Sequence, residues 1–577
     1  MDTRQPSSSN NNYKTESELV LKNEGLLYSI LCKLPARSFA SSACVCKTWH
    51  KVCNQILARP KIASAFSLST TPRIAVKEVV DKVLSAPIRP HFAIANVGRG
   101  FDFDQTIQWL AGSLGSQTPI IVSRAHGIMG RHAITDQFRE VKFVDIDDYP
   151  CIHEGSSGIV LTVGFVPGLK VDAIPLLQQK RASQVAMIDQ FVMDIRNYTI
   201  SVSDCASPVG IIMFGDEDAD LKLVIEKLDY ALSMETVIVG DQRCQFFYRS
   251  GNQLRNVCES IVYDAVALVF ASDKDKLHDM PGHAYNIGMF GFQWKIASEF
   301  QNHVFESSLR WILDAASGLR PASLYNRGKI QFHLALSKGV TAIGPRHKAV
   351  SVRANNRDPI TWLTARREGN QQNLDGQQIL DHIHDEMGND VQCPELYIGV
   401  TKRRKCSIGS EKPGLITSLA FYAVVEGDEQ YLYVDGLGIR SGDYFQFYYP
   451  DTATALASCR NINTKFRNLK AEYDSRSCLH KRGIADSVGK EVLGGFIFSC
   501  CGRGDPFFGC CNVDSYPFME NFPAAPLAGI FCGGEIGRGS SNLMGQESQE
   551  GSSPRSSLHF YSTVFLLMSY TPACPEH

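Results

Sequence analysis

Between residues 91 and 272 the chain repeats one texture: a short apolar run closed by Gly, Pro or Asp, then an amphipathic stretch. The runs are HFAIANV (91–97), PIIVS (119–123), GIVLTVGF (158–165), GIIMFGD (210–216), TVIVGD (236–241) and VALVFAS (266–272). Runs this short and this evenly apolar read as strands, and their flanking Gly, Pro and Asp are turn residues. FDQTIQWLAGSLG (103–115), DADLKLVIEKLDYALS (218–233) and FQNHVFESSLRWILDAAS (300–317) carry apolar residues at helical spacing. Strands alternating with amphipathic helices predict an α/β layer architecture. A second α/β block starts near Lys338. It holds a helix over 376–387 (GQQILDHIHDEM), runs at 396–400, 416–427 and 443–449, a helix over 452–471, and strands at 494–500, 526–532 and 559–568.

The bulk numbers bound the function class. A chain of 577 residues with 44% hydrophobic and 20% charged residues is globular and long enough for several cores. The net charge of −2 argues for neither nucleic acid nor an anionic membrane as a general partner. No apolar stretch approaches the ~18 residues of a membrane span. The polar start, MDTRQPSSSNNNYKTESE, has no signal-peptide h-region, and residues 1–18 read as a disordered tail. The 18 cysteines fall mostly in apolar periodic segments and read as reduced thiols. Cytoplasmic or nuclear placement, or both, is therefore expected. There the sequon Asn197-Tyr198-Thr199 stays bare, and Arg503-Gly504-Asp505 is no adhesion signal. The basic cluster at 402–405 reads as a solvated turn.

From Leu19 to about Leu57 the pattern is helical. Leu26, Leu27, Ile30, Leu31 and Leu34 form one stripe, stopped by Pro35. Val45, Trp49, Val52 and Ile56 form a second. Within it, Cys44 and Cys46 are one residue apart, which on a helix turns the two thiols away from each other, so they do not share a metal ion. Residues 23–57 resemble an F-box. The resemblance is carried by the paired leucines, Ile30-Leu31, Leu34-Pro35 and the Val45-Cys46-Lys47-x-Trp49 segment, while Lys22-Asn23 stand where the family commonly opens with Leu-Pro. It implies docking on a Skp adaptor, and through it a cullin–RING ubiquitin ligase. Leu26, Leu27, Ile30, Leu31, Leu34, Pro35, Val45 and Trp49 would make the adaptor contact, with Trp49 as the principal anchor.

The rest of the chain is similar to the FIST module of bacterial sensors and of certain F-box proteins. FIFSCCGRGDPFFG (496–509), PLAGIFCGGEIGR (526–538) and HFYSTVFLLM (559–568) match its C-terminal markers in order, and VGRGFDFDQTIQWL (97–110) and SRAHGIMG (123–130) match weaker N-terminal ones. The resemblance implies a small-molecule site around Arg503, Gly504, Gly534 and Glu535, with arginine for a carboxylate and glutamate for an ammonium group. The residues themselves allow a plainer reading, in which Arg503 and Glu535 tie strand ends together. Other motifs point to no chemistry. His382 and His384 in DHIHDE diverge on a helix whose Ile379, Ile383 and Met387 form an apolar stripe. The pairs Cys500-Cys501 and Cys510-Cys511 read as core thiols. GLGIRSG (436–442) fails the dinucleotide spacing, and no residues nominate a catalytic triad.

The expected architecture is multidomain: a small all-α F-box (19–62), a connector (63–90), and a large two-part α/β FIST module (91–337 and 338–570) with flexible insertions near 472–490 and 537–557. The expected function is a non-catalytic substrate receptor of a ubiquitin ligase, without metal or cofactor, holding an unknown protein target. The second reading is a cytosolic sensor of an amino-acid-like ligand. No leucine-rich period runs through the chain.

Overall fold

The computed structural model describes residues 23–143, 157–178, 183–251, 263–274, 328–354, 359–388, 395–480, 489–539 and 556–573. The tail 1–18, the helix expected over 300–317, and the hearts of the two expected insertions lie outside these residues.

Three short helices open the described chain: Glu24–Leu31, Ala36–Ser42 and Lys47–Ile56. Asn23 caps the first, its side-chain oxygen accepting from the backbone N–H of Gly25 (3.0 Å) and Leu26 (3.1 Å). The departure from Leu-Pro therefore has a local physical role. Leu27 and Leu31 point inward and are 0% exposed. The second apolar stripe breaks at its start, because the third helix begins only at Lys47. Val45 is left in the turn before it, with Cys46 as N-cap.

These helices do not float on a connector. Lys61–Ser67 is a strand that pairs antiparallel with Ile159–Phe165, and Pro72–Val83 is a helix packed over it. The Ala36 N–H donates to the Leu84 carbonyl at 2.9 Å. Leu27, Leu31, Phe39 and Val52 share one core with Val76, Val79, Val80, Leu110 and the back of the first sheet. Residues 63–90 thus belong to the body, and the helical unit is welded to it.

Three mixed sheets form that body. The first runs Lys61–Ser67, Ile159–Phe165, Phe92–Val97, Ile120–Arg124, Phe246–Arg249. The second runs Leu558–His559, Glu535–Arg538, Val237–Asp241, Gly210–Gly215, Tyr263–Ser272, Leu169–Leu177. The third runs Lys329–Ser337, Thr563–Thr571, Glu491–Cys500, Leu527–Cys532, Gly127–Arg131, Phe138–Lys142. Each contains one parallel pair. Two of the sheets draw strands from both sides of residue 338, so the expected two-part division is interleaved in space. Aromatic edges weld the layers: Phe92 meets Phe270 at 5.1 Å, and Phe270 meets Phe332 at 5.1 Å, one residue from each sheet.

The second block departs from α/β. Val340–Ala354, Ile360–Arg367, Leu432–Asp435, Gly414–Gly427, Tyr397–Cys406 and Tyr444–Pro450 close into an antiparallel barrel. The helix Gly376–Met387 falls on its expected residues and buries Ile379 and Ile383 in the barrel core, leaving His382 and His384 exposed. The basic cluster is part of a barrel strand: Lys402 is buried and pairs with Glu226 at 3.6 Å. The helix after the barrel runs Thr452–His480, longer than expected, and takes up the first part of the 472–490 insertion. Gly537 and Arg538 of the second expected insertion are buried strand residues.

Candidate functional site

The parallel strands Glu491–Cys500 and Leu527–Cys532 end in register, Cys500 opposite Cys532. Two glycine turns follow, at Gly502 and at Gly533-Gly534. The parallel pair of the second sheet, Gly210–Gly215 and Val237–Asp241, ends beside them, since Val237–Asp241 pairs with Glu535–Arg538. Carboxyl ends of parallel strands are where open α/β sheets place ligand crevices. Here they border a cavity of about 400 Å³. Its second wall is the helix Lys222–Ala231 with Lys222, Glu226 and Asp229. Its third is the barrel, through Tyr397, Phe421 and Tyr422, and its floor is Phe560 and Tyr561.

The wall is polar but already organised. Glu395 accepts from the hydroxyls of Tyr397 (3.0 Å) and Tyr561 (3.2 Å). Burial pushes both phenols up, and the Glu395 charge adds to it. Lys222 stands over the Tyr422 ring at 4.8 Å. Glu226 accepts from Ser418 at 3.0 Å, and Asp229 pairs with Arg538 at 2.9 Å.

The four expected ligand residues separate. Gly534 lines the cavity. Arg503 lies behind it, 0% exposed, and is consumed by the protein: Nε and Nη2 grip the two Asp514 oxygens (3.2 and 2.7 Å), and Nη1 donates to the Tyr561 carbonyl (3.0 Å). Nη2 also reaches Ser337 and Cys459. Glu535 is likewise buried. Its carboxyl accepts from the Ser562 N–H (3.1 Å) and hydroxyl (2.6 Å), and burial pushes its pKa up to about 8. Gly504 adopts φ +88°, and an added Cβ would crowd Phe531 at 3.2 Å. Arg503 and Glu535 therefore tie strand ends, each to its own partner. The cavity-facing side chains from Lys222, Glu395, Tyr422 and Tyr561 carry no sequence motif, because four distant segments supply them.

The expected adaptor residues also separate. Leu27 and Leu31 are core. Trp49 and Leu34 are half-buried against that core. Pro35, Leu26 (48%), Ile30 (42%) and Val45 (62%) are bare. Leu26 and Ile30 lie one turn apart on the same helix face.

No family model matches the chain. It is 40% identical over 579 residues to an F-box/LRR-repeat protein of Arabidopsis thaliana, across 99% of this chain and 98% of that protein. The chain belongs to the F-box proteins. The relative's name also carries a leucine-rich repeat, whereas the described residues here form mixed sheets and a closed barrel.

Proposed function

We propose that this chain is the substrate-recognition subunit of a Skp–cullin–F-box ubiquitin ligase, acting in the cytoplasm, the nucleus or both. The helices over 24–56 dock the Skp adaptor, and the body, a FIST module, recruits the protein target. The observation that carries the reading is the bare apolar set Leu26, Ile30 and Val45 on the helical unit of an F-box relative. Burying a large aliphatic side chain is worth roughly 1.5–3 kcal/mol, so a partner covering three of them gains a sizeable driving force. Because the unit shares its core with the first sheet, the adaptor and the target surface are held rigidly to one another. Such a subunit breaks no bond itself. It raises the effective concentration of its target near a charged conjugating enzyme.

The test is co-purification with a Skp adaptor. Wild type should carry the adaptor, and Ile30→Glu with Val45→Glu should lose it while keeping the wild-type melting midpoint. A folded double variant that still holds the adaptor would sink the docking face. A second reading, a sensor of an amino-acid-like ligand, is favoured by the cavity, whose volume lies in the range of small-molecule sites. It requires saturable binding of an amino acid that weakens in Glu395→Gln. Calorimetry showing no saturation with any common amino acid would remove it.

A further inference from the structure

Neither reading uses the outer face of the barrel. Inward and outward positions alternate along its strands. Ala349, Leu363, Ala365, Leu432 and Phe445 fill the barrel core, so the residues beside them in sequence point out. Cross-strand register gathers these into two rows. Arg366 stands opposite Lys348, and Lys348 opposite Tyr444. Farther along the same two strands, Arg353 stands opposite Trp362, and Trp362 opposite Tyr433. Along Ile360–Arg367 the rows are about 13 Å apart at the usual strand rise.

The first row is cationic. Arg346 and Lys348 both lie over the Tyr444 ring, at 5.0 and 5.5 Å. Arg366 is half-buried. Its Nη1 donates to Gln371 at 3.2 Å, and its Nε has no acceptor among the described residues. Lys348, Arg353 and Arg366 make no ion pair among the described residues, so their charge is left for a partner. The second row is aromatic. Trp362 is 36% exposed, with Tyr433 at 5.7 Å and Tyr431 at 6.2 Å, and Arg353 lies 5.3 Å over Tyr431. Acids border the face. Glu368 is 4.0 Å from Arg346, Glu386 pairs with Arg367, Asp428 accepts from the Tyr433 hydroxyl at 2.8 Å, and Glu426 stands opposite Tyr433. The paired positions between the two rows are uncharged, Ser351 opposite Thr364.

We propose that this face binds a single strand of nucleic acid, with phosphates on Lys348, Arg353 and Arg366 and bases stacked on Trp362 and its tyrosines. Cations alone would suit any polyanion. The bare indole beside them selects for bases, because every base presents a π-face and an acidic peptide does not. The net charge of −2 describes the whole chain, whereas a bound strand feels only charges within about 10 Å at ordinary salt. The proposal rests on the barrel alone, and stands or falls independently of adaptor docking and of the cavity.

The experiment is fluorescence anisotropy of a labelled oligouridylate of about 12 nucleotides, a length one barrel can cover, with the full chain between about 50 and about 200 mM salt. Three phosphate contacts predict a log–log salt slope of about −2, so affinity should fall roughly 20-fold across that range. Lys348→Gln should reduce the slope by about 0.7. Trp362→Ala should weaken binding at least about fivefold and leave the slope unchanged. Both variants change outward side chains and should keep the wild-type melting midpoint. Poly-glutamate should compete with the oligonucleotide for the wild-type chain at least about tenfold more weakly than unlabelled oligouridylate, since it gains no stacking. Three results overturn the proposal. The wild type shows no saturable binding at about 50 mM salt. Poly-glutamate competes as well as the oligonucleotide, which would make an acidic protein segment the occupant. Both folded variants bind as the wild type does, which would put the site elsewhere. The first two need no variant.

Discussion

Arg503 and Asp514 meet as a fork and a carboxylate where water does not reach, with both side chains at or below 1% exposure and Nη2 to Oδ1 at 2.7 Å. The pair joins the loop after one central strand to the turn before the helix Tyr516–Asn521, and Arg503 extends the tie to Ser337 and Cys459. Breaking one side of such a pair strands a buried charge. Asp514→Ala should cost about 3–5 kcal/mol, and Arg503→Met with Asp514→Leu should recover most of it. Urea denaturation measures both. A loss in Asp514→Ala below about 1 kcal/mol, the scale of an exposed pair, would contradict the assignment.

Glu535 gives stability a pH slope of known sign. Its folded pKa of about 8 lies above the ~4.3 of an unfolded glutamate. Between these values the native state holds a proton that the unfolded state has shed, so its contribution falls as pH rises, by up to about 1.4 kcal/mol per unit. Glu535→Gln removes the titration and keeps an acceptor for Ser562. The stability of the variant relative to wild type should climb from pH 5 to pH 8. A difference that stays flat over that range would rule the shift out.

His347 works in the opposite direction. It is buried in the barrel, stacked at 5.4 Å on Phe445, and burial lowers its pKa from 6.5 to about 4. The neutral ring is the one that fits. Stability from this site is complete above about 6.5 and is lost as pH falls towards 4. His347→Phe should flatten the acid limb of the stability profile over that window, read by melting midpoints from pH 4 to pH 7. An unchanged acid limb would show that other groups set it.

How much of this could be read in the sequence depends on what each residue had to face. Strands covered on both sides, such as Phe92–Val97 and Val237–Asp241, are buried throughout and apolar but for Asn96 and Asp241, so they stand out. The barrel strands do not. Val340–Ala354 contains Gly344 and Pro345, and Tyr397–Cys406 ends in a basic cluster whose Lys402 is buried only because Glu226 arrives from another layer. The strand Lys61–Ser67 has only Ile62 and Phe66 as large apolar residues among alanines and serines, and looks like a connector. Adjacent leucines hide a further choice: nothing local says that Leu27 turns in while Leu26 turns out. The cavity was the least legible part, since Lys222, Tyr397, Cys501 and Phe560 meet only through sheet and barrel closure.

That choice between leucines is testable by itself. Leu31 is fully buried in a core continuous with the first sheet. Leu31→Ala should cost 2–5 kcal/mol and lower the midpoint of the whole body, at a scale set by buried-leucine truncations, roughly. Leu26→Ser should change stability by no more than about 0.5 kcal/mol while weakening adaptor capture. The reverse ranking in thermal melts would mean that the first helix is rotated.

Two glycines test the packing from opposite ends. Gly112 lies exposed within the helix Phe103–Leu114, and a Cβ there would meet nothing within 4 Å. Gly112→Ala should stabilise by about 0.5–1 kcal/mol, because alanine restricts the unfolded chain and suits a helix. Gly240 sits in the strand Val237–Asp241, where a Cβ would stand 1.7 Å from the Met213 carbonyl oxygen of the neighbouring strand. That atom is backbone and cannot swing aside. Gly240→Ala must therefore push apart the parallel pair that borders the cavity, at a cost of at least about 1–3 kcal/mol. A Gly240→Ala protein as stable as wild type in urea would show that the two strands stand farther apart than this packing requires.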